Sequence, residues 1–107
     1  QDDKEAVKWY RQAADQGDAG AQWILGLMYE DGEGVTQDFE EAVKWYRQAA
    51  DQGDAGAQFA LGLMYKNGQG VTQDLKEALK WFRLAANQGD VCAQCFLGDR
   101  VKPDFEK

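Results

Sequence analysis

Trp9, Trp45 and Trp81 stand 36 residues apart, and nearly everything around them recurs at the same interval. A period of this length marks a stacked array of supersecondary units, because each unit alone is too short to bury its own core. The units run over residues 1–36, 37–72 and 73–107 of one repeat array that fills the chain. The first two differ at only seven pairs: Asp3/Phe39, Lys4/Glu40, Trp23/Phe59, Ile24/Ala60, Glu30/Lys66, Asp31/Asn67 and Glu33/Gln69. The third follows them through Gly98 and then departs.

Each unit reads as two helices. In the second unit Asp38 precedes an apolar and small-residue stripe (Phe39, Ala42, Val43, Tyr46, Ala49, Ala50) at three- and four-residue spacing, which is helical. Glu41 lies three residues after Asp38, so a capping box is expected, with the Glu reaching back to the Asp backbone N–H. Asp2/Glu5 and Asp74/Glu77 repeat the pattern. Gly53 supplies the left-handed stop, and Asp54 caps the next helix at once, so the two form a tight antiparallel hairpin. The second helix carries Ala57, Ala60, Leu61, Met64 and Tyr65 and ends at Asn67-Gly68. Gly26, Gly62 and Gly98 fall mid-helix, where Gly costs about 1 kcal/mol against Ala. Close helix approach is the expected reason, with the pairs Ala13-Ala14, Ala49-Ala50 and Ala85-Ala86 opposite. No segment alternates with period two. At the ends, Asp3 replaces Phe39 and Leu75, Asp99 and Arg100 replace Leu63 and Met64, and Pro103 forbids helix continuation, as expected of polar caps.

The run from Asp38 through Trp45-Tyr46-Arg47-Gln48-Ala49-Ala50 to Gly53, with Ala57-Gln58, Leu61-Gly62-Leu63-Met64-Tyr65 and Gly68-Gln69-Gly70-Val71, resembles the Sel-like repeat, a relative of the tetratricopeptide repeats. The resemblance covers nearly the whole chain. It implies an all-α, right-handed solenoid of three stacked antiparallel helix pairs, with the first helix of each pair on the concave side. It also implies an adaptor or scaffold that binds other proteins, and it allows a bacterial periplasmic or exported parent. Some exported members carry a disulfide in every unit. This chain lacks cysteines at those regular positions, so neither the disulfide ladder nor any activity tied to it carries over.

Composition narrows the function classes. A formal charge of −7 and a pI near 4.5 argue against nucleic acid, whose binders present basic faces. No apolar run approaches the roughly 20 residues of a membrane span. There is no histidine, which removes the commonest general base and most transition-metal sites, so the reading is not an enzyme, with no cofactor and no metal. A chain that opens inside a repeat, without Met, reads as a piece or processed form of a longer repeat protein.

The candidate site is a protein-binding face built from recurring side chains. Lys8/Arg11, Lys44/Arg47 and Lys80/Arg83 form a Lys-x-x-Arg ladder on successive first helices and hold six of the twelve basic residues. Residues three apart share a helix face. Such a row suits an acidic or phosphorylated peptide, or a C-terminal carboxylate. The bland alternative is a solvated face neutralised locally, with Glu41 three before Lys44 and Asp51 four after Arg47. Trp9, Trp45 and Trp81 join the candidate face, although packing between adjacent units is the favoured role for their indoles. Trp23 is expected in the core. Cys92 and Cys95 form a C-x-x-C near the start of the last helix, a redox or metal half-site in the sharp reading. The plainer one is that they fill the slots of Gly56 and Phe59.

The expected function is therefore capture of a protein or peptide segment, acidic in character, in the groove of first helices. The alternative is a structural spacer, or a self-associating segment of a longer protein with weak end-to-end contacts.

Overall fold

The computed structural model describes residues 3–98. Six helices follow in chain order: α1 (Asp3–Asp15), α2 (Ala19–Asp31), α3 (Phe39–Asp51), α4 (Ala55–Asn67), α5 (Leu75–Asn87) and α6 (Val91–Gly98). No strand is present among the described residues. Each helix packs on its neighbours in the chain, so the hairpins stack in a zigzag and the molecule measures 52 × 24 × 23 Å. The first helices (α1, α3, α5) form one side of the stack and the second helices (α2, α4, α6) the other. This is the all-α solenoid expected. The expected cap at Asp2 and the polar end at Asp99, Arg100 and Pro103 lie outside the described residues.

The local signals explain the boundaries. Asp38 and Asp54 are extended N-caps whose carboxylates accept from the backbone N–H of Glu41 (3.1 Å) and Ala57 (2.9 Å). Gly53 has φ +98°, and the Asp54 N–H returns to the Ala49 carbonyl at 3.1 Å, which closes the turn between α3 and α4. The other half of the expected capping box is made differently. The Asp38 backbone N–H donates to the Tyr29 carbonyl of the preceding unit at 2.9 Å, and Asp74 does the same to Tyr65 at 3.0 Å. The previous helix thus supplies the acceptor that Glu41 and Glu77 were expected to supply. Those glutamates are released to pair with Lys44 and Lys80.

The cores lie between units. One cluster joins Val7, Ala14, Ala21, Leu25 and Met28 of the first unit to Trp45 of the second. The other joins Ala42, Val43, Tyr46, Ala49, Ala57, Leu61 and Met64 of the second to Trp81 of the third. The mid-helix glycines belong to the same seam. A β-carbon on Gly26 would meet the Tyr46 ring at 2.6 Å, and one on Gly62 would meet the Phe82 ring at 2.6 Å. The partner is therefore an aromatic ring of the next unit's first helix, not the alanine pair expected from the sequence. A flat ring on bare backbone fills the space that two small residues facing each other would leave open.

Buried glutamines tie the stack together. Gln22 and Gln58 are 3% and 4% exposed. The Gln58 side-chain amide donates to the Ala50 carbonyl (3.2 Å), one of the four carbonyls α3 leaves without an intrahelical partner. Its oxygen accepts from Gln88 of the next unit (2.8 Å). Gln22 repeats this with Ala14 (3.1 Å) and Gln52 (2.9 Å). A buried amide with both ends satisfied is stabilising and fixes the register of one hairpin on the next.

Candidate functional site

The Lys-x-x-Arg ladder divides into two kinds of cation. The lysines point to solvent: Lys44 and Lys80 side chains are each 56% exposed, and Lys8 is exposed as well. Each of the first two is held loosely, Lys44 by Glu41 at 3.4 Å and Lys80 by Glu77 at 3.1 Å. Exposed pairs of this geometry contribute only a few tenths of a kcal/mol, so an incoming carboxylate can compete for either ammonium. The same ammonium groups lie 5.4 and 4.9 Å from the ring centroids of Trp45 and Trp81.

The arginines turn inward toward their own second helices. Arg11 donates to the Tyr29 hydroxyl and Arg47 to the Tyr65 hydroxyl, each guanidinium carbon also standing 5.6 Å over the same ring. Both are half-buried. They work as clasps between the two helices of a hairpin. Arg83 differs: its helix carries it exposed. The position one repeat after Tyr65 is Val101, which has no hydroxyl to offer. The solvent side of the first helices thus carries Lys8, Lys44, Lys80 and Arg83, with Gln48 and Leu84 beside them.

The three tryptophans also part company. Trp45 and Trp81 are 5% exposed and sit in the seams between units, as favoured from the sequence. Their indole N–H groups are buried and make no hydrogen bond among the described residues. Trp9 occupies the same repeat position but is 58% exposed.

A second feature was not anticipated. Across the second helices runs a furrow of about 320 Å³ lined by Trp23, Leu27, Phe59 and Leu63, with Glu30 and Asp90 at its edge. Trp23 lies partly exposed against Gly56, where a β-carbon would meet its indole at 3.0 Å. In the next unit the smaller Phe59 takes the tryptophan's place, and Cys92 takes that of the glycine. A signal existed in the sequence: Trp23/Phe59, Ile24/Ala60 and Glu30/Lys66 are three of the seven places where the first two units differ. Cys92 and Cys95 are free, exposed thiols. Among the described residues, no helix is long and apolar enough to cross a membrane.

This geometry defines a short helical solenoid of interdigitated hairpins. The Sel1 repeat model matches residues 1–18, 19–54 and 55–90, and the chain belongs to that family. The model's frame cuts between the helices of each hairpin, so its full repeats are α2 with α3 and α4 with α5, the pairs joined by the tightest seams. Among solved structures, a protective antigen of uropathogenic Escherichia coli with an SLR fold matches at TM-score 0.90 and 46% identity, over 92% of this chain and 21% of its own. A Sel1 repeat protein from Oxalobacter formigenes matches at 0.83 and 47%, over 86% and 38%. Cysteine-rich protein B of Helicobacter pylori matches at 0.82 and 26%, over 86% and 69%. An exopolysaccharide production negative regulator of Rhizobium leguminosarum is 57% identical over 35 residues, 33% of this chain and 13% of that protein. The chain thus spans a minor part of the first two of these structures and of the regulator. Sel1 repeats are generally protein–protein interaction modules and non-enzymatic scaffolds.

Proposed function

We propose that this array is an interaction module that holds an acidic protein or peptide segment along the solvent side of its first helices. Lys8, Lys44, Lys80 and Arg83 would meet the carboxylates. Arg11 and Arg47 would brace the hairpins from behind, and Trp45 and Trp81 would hold each first helix in register beneath the row. Trp9 would add apolar contact at one end. The observation that carries the reading is the 56% exposure of Lys44 and Lys80 at equivalent positions of successive units, on a chain whose net charge is −7. Positive charge in an acidic protein is confined to few places, and here it recurs with the repeat.

The test is a binding titration with an Asp/Glu-rich peptide. The triple variant Lys44→Glu, Lys80→Glu and Arg83→Glu should lose binding at least tenfold while keeping its helical circular dichroism. Unchanged binding by that variant would remove the assignment.

A second reading draws on Trp9. Its counterparts fill the seam of a preceding unit, so the face that carries it offers a place for another copy to stack end to end. A mass by sedimentation that rises with concentration in the wild type, and not in Trp9→Glu, would support it. A constant monomer mass would discard it.

A further inference from the structure

We propose that the furrow across the second helices is a second docking site, on the side of the stack away from the lysine row, for a segment that inserts a bulky apolar side chain between flanking basic residues. The apolar part of the argument is the lining. Trp23 and Leu27 from α2 and Phe59 and Leu63 from α4 leave about 320 Å³ open between two neighbouring units. Ligand sites begin near 300 Å³, so the furrow seats one or two side chains and not a large cofactor. Large aromatic side chains that stay partly exposed beside such a space are the usual anchors of recognition.

Charge settles which segment fits. The charged side chains on the lining are both acidic, Glu30 from α2 and Asp90 just before α6, and no lysine or arginine contributes to it. Glu30 accepts the Tyr46 hydroxyl through one oxygen at 2.6 Å, which fixes the carboxylate in place. Asp90 accepts the Ala93 N–H at 3.0 Å as a helix cap. Both carboxylates are thus set before any partner arrives. A lysine or arginine next to the inserted side chain meets a fixed acid on either hand, and a guanidinium can also lie on the Trp23 face. An acidic segment would be repelled here, whereas it is the segment suited to the first-helix row. The sequence differences agree. Near-identical units diverge at Trp23/Phe59 and Glu30/Lys66, so the chemistry of this side changes along the array.

The test uses three synthetic octapeptides on the ¹⁵N-labelled chain: one alternating Leu and Lys, one with Leu and Glu, and one with Ser and Lys. The expected result is that the Leu/Lys peptide shifts the Trp23 indole resonance and the amides of Leu27, Phe59 and Leu63. The other two peptides should bind at least tenfold more weakly. Ala60→Arg, which fills the furrow and neutralises its edge, should weaken Leu/Lys binding by a similar factor. The first-helix triple variant Lys44→Glu, Lys80→Glu and Arg83→Glu should leave the shifts at Trp23, Leu27, Phe59 and Leu63 unchanged. Equal binding of the Leu/Glu peptide, insensitivity to Ala60→Arg, or no shift at Trp23 at millimolar peptide would each overturn the proposal. None of these outcomes bears on the lysine row.

Discussion

Gly26 and Tyr46 touch across the first seam so closely that a β-carbon on the glycine would stand 2.6 Å from the ring. Gly62 and Phe82 repeat the relationship in the next seam. A glycine that lowers helix propensity by about 1 kcal/mol is thus the condition for stacking one hairpin on another. Gly26→Ala or Gly62→Ala should destabilise the array by about 1–2 kcal/mol, overpacking outweighing the propensity gained. Gly20 is a control: its β-carbon would lie no closer than 3.4 Å to a neighbour. Gly20→Ala should leave the urea midpoint unchanged or higher, and a stabilised Gly26→Ala would show that the seam is looser than described.

Tyr46 makes stability depend on alkaline pH. Burial first, then its hydrogen bond to Glu30 and the charges of Glu30 and Asp31, push its phenol above the ordinary value near 10. The folded state therefore holds this proton more tightly than the unfolded chain. Below about pH 10 both states keep it and its contribution is complete; above that the unfolded phenol ionises first and stability falls. Urea unfolding at pH 8 and pH 11 should show a larger alkaline loss for the wild type than for Tyr46→Phe. Equal losses would remove Tyr46 as the cause.

The same pair tests how the seam tolerates change. In the next unit Phe82 and Lys66 stand where Tyr46 and Glu30 stand here. Tyr46→Phe alone should cost about 1–2 kcal/mol, because the half-buried Glu30 loses its donor. Adding Glu30→Lys should recover part of that loss, giving a favourable coupling in a double-mutant cycle. Strictly additive losses would mean that the two residues are not linked.

The glutamine bridges predict unequal losses. Gln88→Ala removes a donor to Gln58 from an exposed side chain and should cost about 0.5–1.5 kcal/mol. Gln58→Ala deletes a buried amide, leaves the Ala50 carbonyl with only its backbone donor from Gly53 and opens a small cavity, so its loss should exceed that of Gln88→Ala by about 1 kcal/mol or more. Thermal unfolding by circular dichroism measures both, and the reverse order would refute the bridge as described.

Trp9 and Trp45 occupy one repeat position in two environments. Trp45→Ala should cost about 3–5 kcal/mol, the range for a buried indole, whereas Trp9→Ala should stay within about 1 kcal/mol of wild type. Iodide quenching should be reduced mainly by Trp9→Phe. If Trp45 proves equally quenchable, the seam is open.

The repeat made most of this fold readable before any coordinates. Periodicity at three and four residues located the helices, Asp-led caps and Gly53 located the hairpin turn, and the 36-residue interval required stacking. The details that escaped depend on contacts between units. Nothing local to Asp38 says that its N–H goes to Tyr29, and nothing near Gly26 says that a ring from twenty residues ahead lies upon it. The ladder was legible as a pattern but not as an orientation. Lys44 and Arg47 share a helix face by spacing alone, yet Tyr65 on the companion helix draws one of them inward. The furrow escaped because Trp23, with Phe59 and Cys95 at its repeat positions, reads as core, and its open side exists only once α4 lies beside α2.

The central claim is that a partner lies along the lysine-bearing side of the first helices. Titrating the ¹⁵N-labelled chain with an Asp/Glu-rich peptide tests it most directly. The account predicts shifts at the amides of Lys44, Gln48, Lys80, Arg83 and Leu84, weakening as salt screens the charges. Absence of any shift there, or shifts confined to the second helices, would contradict it.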